Sequence, residues 1–361
     1  MATESHVLNV VDVIEETADA RSIVFEIPSE LADQFTYTAG QFLTVAVPSD
    51  QTGLVARCYS LSSAPHSGLH KITVKRTAEG YASNWINDNL KPGDTLRVLP
   101  PSGIFTPKEQ LDDDFLLFAG GSGITPVMSI ARSALEKGSG KVVLFYANRD
   151  ERSVIFAAEL RELAEEYAER LTVVHWLESV QGLPSQAQLK SFAQLFASYT
   201  CFVCGPAAFM KAVTDSLKEM GIPRSQRHQE KFVSLGGNPF GDVEEVRAAQ
   251  ATIADADDHE DEDGPAVTGP ISVEVELDGQ HYSFDDWQGD KVLLEFLEDK
   301  GVPAPFSCRE GQCSACACVV LEGEVTLKHN EVLDRDDLAD GIRLSCQAMP
   351  ASQTLKISYN G

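Results

Sequence analysis

Hydrophobic and polar residues alternate with three different rhythms along the chain. From residue 1 to about 107, short apolar runs at Leu8–Val13, Ser22–Ile27, Phe42–Val47, Leu69–Arg76 and Thr95–Leu99 are divided by Gly, Pro and Ser clusters. Short strands with close turn signals predict an antiparallel barrel or sandwich. One helical stretch near Ser83–Asn89 interrupts them. From 108 to about 237 the apolar runs are Asp114–Ala119, Lys141–Tyr146, Leu171–Trp176, Thr200–Cys204 and Arg227–Phe232. Helical patterns starting at Pro126, Ile155, about Gln186 and Pro206 separate them. Strands alternating with helices predict a parallel sheet covered on both faces. In residues 271–361, Ile271–Leu277 and Gln280–Phe284 flank Asp278 and Gly279 and predict a hairpin. A helix near Lys291–Glu298 and strands at Cys318–Leu321 and Thr354–Ser358 follow.

Between the second and third regions, residues 238–270 change in composition. Asp255, Asp257, Asp258, Glu260, Asp261, Glu262 and Asp263 crowd together with no aromatic residue among them. Such a stretch buries too little surface to fold and predicts a flexible acidic linker. A tether of about 30 residues spans roughly 30 Å on average. It would let the third domain visit two sites in turn. The 361-residue chain carries a formal net charge of -26. That disfavours nucleic acid as a partner and permits steering toward a basic patch on a protein. No run of 18 apolar residues predicts a membrane span. Met1 to Asn9 lacks the basic and apolar segments of a secretory signal. Four of the eight Cys fall between residues 308 and 318. This clustering fits a metal site in a reducing compartment better than a disulfide framework, so a cytoplasmic location is expected.

The Cys spacing carries the most specific chemistry. Cys308, Cys313 and Cys316 form C-x4-C-x2-C, and Cys346 follows after 29 residues. This is the plant-type pattern for a [2Fe–2S] cluster. Zinc is the alternative, although zinc sites usually pair two short C-x2-C units, and here the fourth Cys stands alone. Upstream, Gly120-Gly121-Ser122-Gly123-Ile124-Thr125-Pro126 follows an apolar strand. A Gly-rich turn lets backbone N–H groups approach a pyrophosphate at a helix N-terminus. Thr125 is expected as N-cap and Pro126 in the first helical turn. Cys204-Gly205-Pro206 ends a later strand and should face the same crevice. In Arg57-Cys58-Tyr59-Ser60, Arg pairs with phosphate, Tyr stacks on a flat ring and Ser donates to a ring nitrogen. Lys75, Arg76 and Gly80–Ser83 form a second candidate anion site ahead of the lone helix. Arg149 and Arg152 interleave with Asp150 and Glu151 after the second strand, which leaves NADH and NADPH open. Cys58, Cys201, Cys318, Trp85, Trp176 and Trp287 read as packing residues, and the eight His show no metal-ligand spacing.

In this order, the motifs R-x-Y-S, G-x-x-S, G-G-x-G-I-T-P, C-G-P and the four-Cys pattern resemble a ferredoxin–NADP reductase-type flavoprotein fused to a C-terminal plant-type ferredoxin. More narrowly, Thr73–Trp85, Tyr146–Phe156 and Ser307–Gly311 resemble the reductase components of 3-ketosteroid 9α-hydroxylases. The reductases of phenylacetyl-CoA epoxidase share the domain order. The resemblance implies an FAD-binding antiparallel β-barrel (1–107), an α/β NAD(P)H domain (108–237), the linker and a β-grasp α+β ferredoxin domain (271–361). It implies that Arg57 and Ser83 hold the FAD pyrophosphate, with Val74, Lys75, Gly80 and Ala82 in the same segment. Tyr59 would pack on the flavin, and Ser60 would hydrogen-bond near its N5. Gly121, Gly123, Thr125 and Pro126 would line the dinucleotide site, while Cys204, Gly205 and Pro206 would sit by the nicotinamide. Ser60 and Cys204 are the expected catalytic positions. Glu230 and Phe232 would cover the flavin, and Cys308, Cys313, Cys316 and Cys346 would ligate the cluster. Electrons are expected to pass from NADH, with NADPH the alternative, through FAD and [2Fe–2S] to a separate terminal oxygenase. That oxygenase is expected to be Rieske-type and steroid-directed, with the epoxidase or another aromatic oxygenase as the near alternative. The partner is expected to dock on Arg309–Ser314, and the reductase is expected to be a monomer. A zinc-binding redox sensor or scaffold is the distant alternative.

Overall fold

The computed structural model describes residues 5–49, 53–107, 110–232, 235, 239–240, 267, 269–277 and 279–359. The acidic run expected to be a linker lies outside them. The first domain is a six-stranded antiparallel sheet of β1 (His6–Thr17), β2 (Ala20–Glu26), β3 (Phe42–Ser49), β4 (Gly53–Ser60), β5 (His70–Lys75) and β6 (Thr95–Val98). Its strand order is β4-β3-β6-β1-β2-β5. A bridge between Leu61 and Ile72 joins the two edge strands, so the sheet closes on itself. Alternation decides which side chains enter the barrel: Leu8 and Val10 are buried, whereas Val7, Asn9 and Val11 face solvent. The helix α1 (Tyr81–Asn89) packs on the barrel through Ala82 and Ile86.

The second domain is a parallel sheet of β7 (Phe115–Gly120), β8 (Val142–Asn148), β9 (Leu171–Leu177), β10 (Thr200–Cys204) and β11 (Arg227–Glu230), ordered β11-β10-β7-β8-β9. Every residue of β7 is buried, as expected for a strand covered on both faces. Phe115 and Leu117 pack with α2 (Ile124–Lys137) and α3 (Ala157–Glu166), whereas Leu116 and Phe118 pack with α4 (Gln186–Ala193) and α5 (Ala207–Glu219). The chain runs from β7 outward in one direction to β8 and β9, then crosses back to β10 on the other side. The carboxyl end of β7 is therefore the point where strand order reverses, and a crevice opens there. Two details depart from expectation. The helix after the Gly-rich turn starts at Ile124 with Gly123 as its N-cap, so Thr125 is inside the helix. Its hydroxyl donates to Ser122 O at 3.1 Å instead of capping. The helix expected at Ile155 starts at Ala157, after Phe156 turns the chain at φ 62°.

The third domain is a five-stranded mixed sheet of β12 (Ile271–Leu277), β13 (Gln280–Trp287), β14 (Ala317–Glu322), β15 (Ile342–Leu344) and β16 (Thr354–Ser358), ordered β13-β12-β16-β14-β15. The helix α6 (Leu293–Asp299) lies on it, with Phe296 stacked on Trp287 at 5.8 Å. The short helix α7 (Arg335–Ala339) was not foreseen. Its N-cap Asp334 and Asp337 form a reciprocal capping box.

Candidate functional site: three motif regions at one junction

At the crevice, the Gly-rich turn and the C-G-P turn touch. A Cβ on Gly123 would stand 2.2 Å from Cys204 O and 2.6 Å from Gly205 N, so only glycine fits. A Cβ on Gly120 would meet Pro206 at 2.8 Å. Gly121 has φ +51° and open space where a Cβ would be, which leaves its backbone accessible to a ligand. The two turns border a cleft of about 490 Å³, lined also by Lys75, Arg149, Trp176 and Glu178. Trp176, expected only to pack, stacks on Phe145 at 5.7 Å and lines this cleft as well. Asp19, from the turn between β1 and β2, reaches in from the barrel. It lies 3.4 Å from Arg149 and 3.8 Å from Lys75. Burial lowers the Lys75 pKa, and Asp19 opposes that shift. Cys204 is fully buried behind the turns; burial, then the nearby Glu230 carboxyl, push its thiol well above the ordinary range.

On the barrel side, β4 carries Arg57, Tyr59 and Ser60. Arg57 Nη1 donates to Ala56 O at 2.7 Å and to Leu235 O at 3.1 Å. Burial raises the Tyr59 hydroxyl pKa, with Arg57 opposing. Ser83 Oγ accepts from Thr77 N at 3.0 Å, and a Cβ on Gly80 would collide with Thr77 and Ser83. Val74 and Ala82 belong to the barrel core, so only their backbone is offered outward. Glu230 ends β11 as a buried carboxyl, and burial pushes its pKa up to about 8. Phe232 is half exposed. Cys58, Ser60, Glu230, Phe232, Gln312 and Cys313 line one small gap, so the barrel, the parallel sheet and the Cys loop converge there.

All four expected ligand Cys are buried. Backbone N–H groups aim at sulfur: Glu310 N to Cys308 Sγ at 3.4 Å and Cys308 N to Cys313 Sγ at 3.5 Å. Gln347 Nε2 donates to Cys346 Sγ at 3.8 Å. Burial opposes a charge on Cys308, yet donation from the Cys313 and Cys346 thiols holds its pKa well below the ordinary range. The same hydrogen bonds to Cys308, then burial, push Cys313 well above that range. The Cys308 and Glu310 backbone N–H groups and the Gln347 amide are thiolate-stabilising donors of the kind that surround a cluster. Among the described residues, no group of three or more His, Cys, Asp or Glu closes tightly enough for a single metal ion. Gly311 has φ +72°, and a Cβ there would lie 2.6 Å from His329 O. Cys318 is buried on the sheet, its thiol pushed up by burial.

Two features escaped the sequence. Arg309 is buried at φ 61°, pairs with the buried Glu298 through both terminal guanidinium nitrogens and lies 3.7 Å over the Phe306 ring. Arg309 adjoins Cys308, but Glu298 is 11 residues away, so no local pattern announced the pair. The loop Arg309–Ser314, on which the partner is expected to dock, is largely covered rather than exposed in this arrangement. Cys308, Cys313 and Ala315 pack with Phe42, Ala46, Ala56 and Leu99 of the barrel domain. Thr44 Oγ1 and Ser307 Oγ are 2.6 Å apart in this seam, with Cys58 Sγ 3.4 Å from Thr44. Cys58, read as simple packing, thus faces the Cys loop from β4.

A closed barrel, a parallel sheet with a glycine crevice and a four-Cys domain, meeting at one gap, define a modular flavin and iron–sulfur reductase. The Oxidoreductase FAD-binding domain family matches residues 7–106. The Oxidoreductase NAD-binding domain family matches 117–215, and the 2Fe-2S iron-sulfur cluster binding domain family matches 275–351. The chain is 53% identical over 358 residues to the 3-ketosteroid-9-alpha-monooxygenase ferredoxin reductase component of Rhodococcus rhodochrous, covering 99% of this chain and 97% of that protein. It is 31% identical to the glycine betaine monooxygenase reductase of Chromohalobacter salexigens, covering 96% of this chain and 94% of that protein. The solved structure of phthalate dioxygenase reductase aligns with a TM-score of 0.54 at 25% identity, covering 98% of both chains. The chain belongs to the family of monooxygenase reductase components that carry FAD-binding, NAD-binding and [2Fe–2S] domains. No helix among the described residues is long and apolar enough to cross a membrane.

Proposed function

We propose that this chain delivers electrons from NADH to a separate oxygenase that hydroxylates 3-ketosteroids at the 9α position. The convergence of Ser60, Glu230, Phe232 and Cys313 on one gap carries the electron path. The steroid direction rests on end-to-end similarity to reductases of that system. When bound, FAD accepts a hydride and releases electrons singly to the [2Fe–2S] cluster, so a two-electron donor feeds a one-electron carrier.

The protein contributes position and shielding. Gly121 and Gly123 let backbone N–H groups approach the dinucleotide pyrophosphate at the start of α2. Pro206 lines the opposite wall, where the nicotinamide would lie, with Cys204 and Gly205 behind it. Arg57, Gly80 and Ser83 would supply cationic, backbone and hydroxyl groups for the FAD pyrophosphate, with Val74 and Ala82 holding that segment to the barrel, while the Lys75 ammonium lies in the neighbouring cleft. Tyr59 and Ser60 address the flavin ring, and Glu230 keeps a proton at neutral pH in the dry gap beside it. Cys308, Cys313, Cys316 and Cys346 hold the cluster. The cleft favours NADH, because Asp19 engages Arg149 and Glu178 lines the same wall, which opposes an extra phosphate.

An anaerobic titration of purified protein followed by its visible spectrum tests the reading. Stoichiometric NADH should bleach flavin and iron–sulfur absorbance together. Bleaching of flavin alone would break the path to the cluster, and bleaching by NADPH but not NADH would reverse the nucleotide assignment. Turnover of a 3-ketosteroid on adding a steroid 9α-hydroxylase oxygenase component tests the partner.

A further inference from the structure

Two strands of the barrel carry a short polar chain into the seam with the ferredoxin domain. Thr44 on β3 and Cys58 on β4 are partners in the antiparallel ladder, with Cys58 Sγ 3.4 Å from Thr44 Oγ1. Thr44 Oγ1 is in turn 2.6 Å from Ser307 Oγ, on the residue before the ligand Cys308. A hydroxyl has one proton to give and two lone pairs, so Thr44 can donate to one neighbour and accept from the other. Both hydroxyl residues are buried.

The two ends of this chain lie where the electron path needs them. β4 also carries Tyr59 and Ser60, assigned above to the flavin ring. Cys58 and Ser60 line the small gap that Cys313 borders from the ferredoxin side. Ser307 leads directly into Cys308, whose backbone N–H donates to Cys313 Sγ at 3.5 Å. A shift of Ser307 therefore moves one ligand and the donor to a second. Around the chain the seam is apolar, with Phe42, Ala46, Ala56, Leu99 and Ala315 in contact. Apolar contact holds two surfaces together without a preferred direction. The hydroxyl pair adds one, because a hydrogen bond weakens steeply when bent or stretched and a buried hydroxyl without a partner is costly.

We infer that Thr44 and Ser307 are positioning residues for the flavin-to-cluster step, and that Cys58 backs Thr44 in that role. One electron leaves the reduced flavin and enters the oxidised cluster; no bond to these three residues forms or breaks. They act by holding the gap between β4 and Cys308, and electron transfer slows exponentially as such a gap widens. These roles rest on the reading above that the flavin ring lies against Tyr59 and Ser60.

The test follows the full-length holoprotein by anaerobic stopped flow on mixing with NADH. Flavin and iron–sulfur absorbance are resolved in time, and the midpoint potential of the cluster is measured separately. Thr44→Val and Ser307→Ala should each slow cluster bleaching about ten- to a hundred-fold, with flavin bleaching and cluster potential unchanged. Thr44→Val leaves the ferredoxin sequence intact, so it reports even where Ser307→Ala assembles its cluster poorly. Thr44→Ser keeps the hydroxyl and should keep the wild-type rate. The double variant Thr44→Val with Ser307→Ala should be no slower than Thr44→Val alone, because the second change removes a hydroxyl whose partner is already gone. Cys58→Ala should slow the step less than Thr44→Val, since a thiol is a weak donor. A wild-type cluster rate in Thr44→Val would overturn the inference. So would a cluster potential in that variant shifted enough to account for the slowing, or a Thr44→Ser variant as slow as Thr44→Val. Wild-type protein that bleaches its flavin and never its cluster would overturn the electron path proposed above together with these roles.

Discussion

The ferredoxin domain is held by two seams of opposite character. Against the barrel the contact is apolar: Phe42, Ala56, Cys308, Cys313 and Ala315 pack together beside a buried hydroxyl pair, Thr44 and Ser307. Against the parallel sheet it is ionic and partly wet, with Lys218, Arg224 and Arg227 facing Asp336, Asp337 and Asp340. The difference teaches a division of labour. An apolar seam sets position tightly and excludes water from the gap an electron must cross, because packed side chains tolerate little displacement. An ionic seam adds orientation and fast encounter at small net cost, so it can be released.

The sharpest way to break the apolar seam is through the Cys loop itself. Cys316→Ala should abolish the iron–sulfur absorbance while NADH still bleaches the flavin; a retained cluster spectrum would remove Cys316 from the ligand set. Next, Phe42→Ala deletes a side chain that is only 3% exposed and fills the seam. It should cost about 3–5 kcal/mol in denaturant unfolding, and a loss below about 1 kcal/mol would mean that the seam relaxes. Thr44→Val keeps shape but removes one hydroxyl partner of Ser307, with an expected cost of about 1–3 kcal/mol. It should also slow cluster reduction without slowing flavin reduction.

Glu230 sharpens the comparison through pH. Its carboxyl is pushed by burial from 4.5 to about 8 in the folded protein. Between those values the folded state keeps a proton that the unfolded state has lost, so stability falls as pH rises across that window. Glu230→Gln should flatten that part of the profile of Tm against pH. An unchanged slope would mean that water reaches the gap. The ionic seam should respond least: Lys218→Gln is expected to change unfolding free energy by about 1 kcal/mol or less. A larger loss would make this seam structural and not exchangeable.

The chemistry-bearing turns were legible in the sequence because each is a local requirement. Gly123 must be glycine because Cys204 O lies against it, and the four Cys spacing needs no tertiary context to be recognised. The strand rhythms were equally local: β7 is a continuous apolar run because both its faces are covered. Smaller errors had local causes too. Thr125 looked like a cap, but Gly123 takes the cap position and Thr125 lies in the first turn. The short strand Ile342–Leu344 and the helix Arg335–Ala339 were too brief to give a periodic signal.

What only the tertiary structure decided was how the three domains face one another. Thr44 and Ser307 are 263 residues apart, and Arg224 and Asp337 are 113 apart. No periodicity or spacing pairs such residues, because side chains that meet across domains share no local backbone constraint. The sequence by itself determined which cofactors the chain is built for. The folded arrangement determined that Cys58 stands beside the cluster loop, that Arg309 is neutralised by Glu298, and that the loop expected to greet an oxygenase is turned toward the flavin barrel. Local motifs carry binding chemistry because a ligand is held by a few neighbouring groups. The route between ligands is a matter of distance and burial, which exist only once the domains have packed.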